Sequence, residues 1–227
     1  MTGALAVFVK TPGLSPVKTR LAVKLGREAA ETFYLTSARA VTAVVQAVSK
    51  LDAIQGYYAV AEQTALDHDY WRELPCLWQG EGGLGERMAH VYQTLSSEHD
   101  FVLLVGADIP QITTEELLAA SAWLPHNEQA RLVFGPSVDG GFWLFGGNCS
   151  VPQAIWTEVT YSVADTGTQF FNKIERLGEI KKLASLRDVD EPVDLMQLRQ
   201  ALLGLIEPLP AQRELIRFLD ALPKNFS

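Results

Sequence analysis

Phe101-Val-Leu-Leu-Val-Gly-Ala-Asp108 is the stretch on which the fold turns. Phe101 to Val105 is an unbroken apolar run with no polar alternation, stopped by Gly106. Such a run is the mark of a strand buried on both faces, and a strand of that kind belongs in the centre of a parallel sheet. Just beyond it, Thr113-x-x-Glu116 is a capping box ahead of Leu117-Leu118-Ala119-Ala120, so a helix starts soon after Asp108.

Working outward, the rest of the chain repeats this alternation. Upstream, residues 5–10 (LAVFVK) form a second buried strand that enters a loop at Thr11-Pro12-Gly13. From Lys18 to Lys50 the apolar residues recur at helical spacing, with Gly26 as a break. Residues 53–60 (AIQGYYAV) read as a strand, the polar stretch Asp67–Arg72 as a short helix, 75–79 (PCLWQ) as a weaker strand and 84–95 (LGERMAHVYQTL) as a helix. Downstream, 131–137 (RLVFGPS) and 142–147 (FWLFGG) are strands around a glycine turn. They precede a helix at Thr166–Leu177, a strand at 180–184 (IKKLA) and helices at 193–205 and 211–222. This order predicts a three-layer α/β fold around a mostly parallel central sheet. With no internal repeat and no long linker, residues 1–227 are expected to form a single domain.

Composition narrows the function. A chain of 227 residues with 48% hydrophobic content and a mean hydropathy of +0.06 can bury a large core. Nineteen Lys and Arg against 27 Asp and Glu leave a net charge of −8, which disfavours nucleic acid or an anionic membrane as a partner. An anionic ligand must therefore be held by a local group of cations. No apolar stretch reaches the roughly 18 residues of a membrane span, and nothing resembles an export signal. Cys76 and Cys149 then read as reduced thiols, and the expected location is cytoplasmic. His68, His90, His99 and His126 show no metal-ligand spacing. The oligomeric state is not legible.

In open α/β sheets ligands bind outside the carboxyl ends of the strands, and four such ends carry chemistry. After the first strand, Lys10, Lys18 and Arg20 surround a Pro-rich loop that runs into a helix N-terminus, where free N–H groups favour phosphate. Lys18 and Arg20 reach one phosphate together only if Lys18 still belongs to the loop, and they read equally as solvated surface cations beside a Pro-rich turn. Asp108 leaves the sheet centre as a carboxylate suited to a hard divalent cation. Asp188 and Asp190, two apart in an extended segment, face the same side and can share that cation, although Asp190 or Glu191 also suits the cap of a helix beginning near Pro192. Asp139-Gly140-Gly141 offers a base or a hydroxyl ligand beside backbone that a substrate can approach, and equally an ordinary hairpin turn. Gly82, Gly83 and Gly85 make a loop before a helix that starts with Glu86 and Arg87.

Taken in order, residues 10–21 (KTPGLSPVKTRL), 80–88 (GEGGLGERM), 106–110 (GADIP), 139–146 (DGGFWLFG) and 187–195 (RDVDEPVDL) resemble the bacterial DUF2064 group of nucleotide-diphospho-sugar transferases, often described as glycosyltransferases. The resemblance covers about residues 5–195. It implies a Rossmann-like GT-A fold and transfer of a sugar from a nucleotide-diphosphate donor to a small-molecule acceptor with Mg²⁺ or Mn²⁺. Under it, Lys10, Lys18, Arg20 and Gly106 face the nucleotide phosphates, and Asp108 with Asp188 or Asp190 holds the metal. Asp139 serves as general base, with Gly140, Gly141 and Arg87 near the substrate. The chain has Gly-Ala-Asp where a D-x-D would stand in wider relatives, and Tyr161 before Ser162 where the group is expected to show Trp. Two other functions share these features: a guanylyltransferase-like nucleotidyltransferase acting on a small phosphorylated acid or sugar phosphate, and a nucleotide-sugar-binding protein without turnover.

Overall fold

The structure, a computed structural model, describes residues 2–124 and 129–223; His126 lies outside them. The elements follow the chain as β1 (Gly3–Val9), α1 (Thr19–Leu25), α2 (Arg27–Leu51), β2 (Ile54–Val60), β3 (Cys76–Trp78), α3 (Leu84–Ser96), β4 (Phe101–Gly106) and α4 (Thr114–Ser121). The second half adds β5 (Arg131–Pro136), β6 (Phe142–Gly147), α5 (Gln153–Thr157), α6 (Thr166–Ile174), β7 (Glu179–Lys182), α7 (Pro192–Leu203) and α8 (Pro210–Ala221). The seven strands form one sheet in the order β3-β2-β1-β4-β6-β5-β7, so β4 lies at its centre. Only β6 runs against its neighbours: it pairs antiparallel with both β4 and β5, while every other pairing is parallel.

Burial explains why the central strands carry no polar residue. Leu5, Val7 and Val9 of β1 join Leu103 and Val105 of β4 in a core with Val41, Val44, Val45 and Val48 of α2. Ala4 and Ala6, with Val102 and Leu104, face the opposite core, which is filled by Met88, Tyr92 and Leu95 of α3 together with Trp156 and Phe170. Both faces of one strand are thus sealed, and the alternating side chains of each strand divide between the two cores. A third cluster lies outside the sheet, where Phe33 of α2 meets Leu195, Leu198, Leu202, Leu215 and Leu219 of α7 and α8. That outer layer anchors the chain that returns from β7 toward the end of β4.

Two expectations needed adjusting. The polar stretch at Asp67–Arg72 forms only a single 3₁₀ turn at Asp69–Trp71 after another at Gln63–Ala65. The helix expected to run to Leu177 stops at Ile174, and the short α5 was not anticipated. Its sequence is too brief for a helical period, but Trp156 is fully buried and packs it onto α3. No helix among the described residues is long and apolar enough to cross a membrane.

Candidate active site

A cleft of about 530 Å³ opens at the carboxyl ends of β1 and β4. Its volume falls in the usual range for small-molecule sites. One wall is the loop from Lys10 to Arg20, and the other combines the β5–β6 turn with Tyr161, Ser162, Val163 and Thr166. Among the described non-glycine residues, only Lys18 (φ 44°) and Ser162 (φ 64°) hold left-handed backbone, and both line this cleft. Left-handed backbone costs free energy in residues with a Cβ, and it tends to persist at functional sites.

Lys18 does belong to the loop, as the N-cap of α1. Its left-handed turn sends the side chain inward, where it is only 6% exposed. The ammonium donates to Asp108 Oδ2 at 3.1 Å and to Asp190 Oδ1 at 3.0 Å. Burial works against the Lys18 charge, yet Asp108 and Asp190 together raise its pKa above the ordinary lysine value. Arg20 stays 70% exposed at the rim, with its guanidinium 3.9 Å from Asp190 Oδ2. Lys10 lines the cleft from its exposed position, while its backbone N–H donates to the Tyr34 hydroxyl at 2.7 Å.

Asp108, Asp188 and Asp190 each offer a carboxylate oxygen, and these atoms lie within 4.8 Å of one another. Three carboxylates against Lys18 and the solvent-exposed Arg20 leave the cluster short of positive charge. Burial, followed by the nearby charges of Asp108, Asp139 and Asp190, pushes the Asp188 carboxyl up to about 7. A set of hard oxygen donors with excess negative charge fits a divalent cation such as Mg²⁺ or Mn²⁺. Gly106 leaves room for the first of them: a Cβ there would stand 2.7 Å from Asp108 Oδ1.

The segment carrying Asp188 and Asp190 is held from behind by Asp194. This carboxylate, 7% exposed, accepts the backbone N–H groups of Asp190 at 3.2 Å and Glu191 at 2.8 Å, and pairs with Arg187 at 3.3 Å. Glu191 is the N-cap of α7 and Pro192 follows in its first turn, so the cap falls on Glu191 and leaves the Asp190 carboxylate facing Lys18. The Val189 N–H donates to Asp108 O at 3.3 Å, and the Gln111 amide donates to Arg187 O at 2.6 Å. Asp194→Ala strips the support from two backbone donors and is expected to cost about 1–3 kcal/mol of stability. Denaturant unfolding with an unchanged m-value measures it.

The remaining sequence candidates separate. Asp139 and Gly141 line the cleft, and Asp139 Oδ1 accepts the Gly141 N–H at 2.9 Å, which makes the turn and the site one feature. Gly140 is not on the cleft wall: its φ of 91° and the absence of a Cβ let Ala164 O approach to where a Cβ would stand at 1.7 Å. It shapes the second wall from behind. Arg87 is also off the lining, with its Nε donating to Gly82 O at 3.0 Å. Sequence reading overlooked Gln79 and Ser162. Gln79 was visible as the last residue of the weak strand PCLWQ, at another strand end; Ser162 carries no signal without its backbone angle.

With the geometry in hand, comparisons with known proteins are specific. The family described as "Uncharacterized protein conserved in bacteria (DUF2064)" matches residues 37–163. No curated protein matches the chain. Among solved structures, the "putative nucleotide-diphospho-sugar transferase" from Desulfovibrio desulfuricans G20 is 25% identical with a TM-score of 0.85, over 100% of this chain and 99% of that one. A 4-diphosphocytidyl-2C-methyl-D-erythritol synthase from Anaerococcus prevotii DSM 20548 shares the fold at 14% identity and a TM-score of 0.54, over 89% and 98% of the two chains. A CMP:2-keto-3-deoxy-manno-octonic acid synthetase complexed with CTP does so at 8% identity and a TM-score of 0.54, over 89% and 99%.

Proposed function

Because this chain belongs to the DUF2064 family and has a nucleotide-diphospho-sugar transferase fold, we propose that its cleft binds a nucleoside-diphosphate-sugar donor with a divalent cation and passes the sugar to a hydroxyl of a small-molecule acceptor. The observation that carries this reading is the convergence of Asp108, Asp188 and Asp190 within 4.8 Å, with Asp108 and Asp190 on the cleft wall, Asp188 beside them off the lining, and Lys10 and Arg20 at the rim. An overall charge of −8 disfavours binding of a diphosphate without such a local group of cations.

In this reading Asp108, Asp188 and Asp190 hold Mg²⁺ or Mn²⁺, which when bound supplies positive charge to the diphosphate as it leaves. Lys18 keeps Asp108 and Asp190 in place. Lys10 and Arg20 face the phosphate oxygens, where their charge grows in value as the glycosidic bond breaks and its electron pair moves to the diphosphate. The acceptor oxygen bonds to the anomeric carbon while its proton passes to the carboxylate of Asp139, which the Gly141 N–H holds through Oδ1.

The test is product analysis. Incubation with nucleoside-diphosphate sugars, Mn²⁺ and candidate acceptors is expected to release nucleoside diphosphate. Pyrophosphate released from a nucleoside triphosphate would instead assign nucleotidyl transfer, and binding with neither product would assign a sensor.

The raised Asp188 carboxyl gives a pH dependence. Below about 7 the metal-free site holds a proton that the cation must displace. Mn²⁺ affinity by calorimetry is therefore expected to rise by up to about tenfold per pH unit from pH 5 to 7 and to level off above. The metal-free fold has the opposite trend: it binds this proton more tightly than the unfolded chain, so its stability falls as pH rises from the ordinary 3.8 toward about 7.

A further inference from the structure

We propose that the acceptor is an alcohol with an apolar body, whose hydroxyl reaches Asp139 while its carbon skeleton lies on the wall formed by Phe142, Tyr161 and Val163; this rests on the transfer reading above. The wall stands beside the base. Gly140, lacking a Cβ, leaves space for Ala164 O, and its own carbonyl accepts the Gly167 N–H at 2.7 Å. The turn that carries Asp139 is thus packed directly against the segment that carries Val163. Phe142 follows the turn, and Tyr161 and Val163 line the cleft with it.

What this wall presents is carbon, because its polar atoms are tied inward. The Tyr161 hydroxyl donates to Trp156 O at 2.8 Å, which leaves the ring for the cleft. The Trp143 N–H donates to Ala184 O at 3.0 Å. The Thr166 hydroxyl meets Thr160 O at 2.9 Å and Val163 O at 2.8 Å, and accepts the Val163 N–H at 3.2 Å. Phe142 and Tyr161 are half-buried extensions of the core around Trp156 and Phe170. Val163 stays 40% exposed, and Val138, next to Asp139 in sequence, 49%.

Two polar side chains on this wall stay available. Asp139 accepts only the Gly141 N–H, and Ser162 is an exposed residue on left-handed backbone whose hydroxyl no hydrogen bond among the described residues engages. That suffices for one acceptor hydroxyl and falls short of what a sugar or polyol needs. Each further hydroxyl laid on this wall would give up water without gaining a partner. An apolar body gains instead by covering Val163 and the two rings. In the transfer the alcohol oxygen bonds to the anomeric carbon and its proton goes to Asp139. The electron pair of the broken anomeric bond leaves with the diphosphate.

The experiment compares 1-hexanol and 2-phenylethanol with glycerol and glucose. Saturation-transfer NMR reads binding, and release of nucleoside diphosphate from a panel of nucleoside-diphosphate sugars with Mn²⁺ reads transfer. Both alcohols are expected to receive saturation from the protein and to raise release above the rate in buffer, while glycerol and glucose do neither. In Val163→Asn the KM for the alcohols is expected to rise about tenfold, with the Kd of the nucleoside-diphosphate sugar unchanged. A matching loss of donor affinity in this variant would assign the wall to the donor and overturn the inference. Alcohols that fail to bind, or release that responds to glycerol or glucose instead, would overturn it alone. Alcohols that bind with no release from any donor would overturn the transfer reading and the acceptor role together.

Discussion

Asp108→Asn is expected to abolish metal-dependent ligand binding and to lower turnover by about a hundredfold to a thousandfold. Asp108 stands where β4, the central strand, leaves the sheet, and it is the one carboxylate of the cluster whose position is set directly by that strand. Asparagine keeps the shape but removes the charge, so the cluster keeps two carboxylates beside Lys18 and Arg20. Charge stabilisation by a bound cation contributes several kcal/mol at a leaving diphosphate, and each 1.36 kcal/mol is tenfold in rate. The fold should survive, because Asp108 is 38% exposed and packs into no core. Unchanged circular dichroism with lost activity and lost Mn²⁺ binding is the expected pair of results; full activity in this variant would remove the cluster from the mechanism.

The second large effect is at Lys18. Lys18→Met removes the internal counter-charge and leaves Asp108, Asp188 and Asp190 facing one another. Breaking a fully buried ion pair costs about 3–5 kcal/mol. Asp108 and Asp190 are 38% and 46% exposed, so solvent screens part of this, and about 1–3 kcal/mol is expected in the metal-free protein. The distinguishing feature is rescue: Mn²⁺ should restore more stability to Lys18→Met than it adds to the wild type, because it replaces the missing charge. Melting temperatures with and without Mn²⁺ measure both parts. A loss of stability that Mn²⁺ does not reduce would mean that Lys18 acts through packing alone.

These two positions also show what a sequence can disclose. The central place of β4 was legible because a strand sealed on both faces has no polar alternation, and Phe101 to Val105 has none. The pairing of Asp188 with Asp190 was legible from period-two spacing. Their meeting with Asp108 was open to inference only as an option, since it depends on α7 and α8 anchoring the returning chain to α2. The side-chain direction of Lys18 was not legible. Helical periodicity says where α1 begins, but a left-handed residue at its cap turned the ammonium inward to the carboxylates rather than outward. Arg87 and Gly140 show the converse: motif position drew them to the site, while packing placed one on Gly82 O and the other behind Ala164.

The account stands most directly on one measurement: calorimetric binding of nucleoside-diphosphate sugars to the wild type and to Asp108→Asn, with and without Mn²⁺. Saturable binding to the wild type that requires Mn²⁺ and disappears in the variant is the predicted result. Binding of equal strength in both proteins with no need for metal, or none in either, would contradict it.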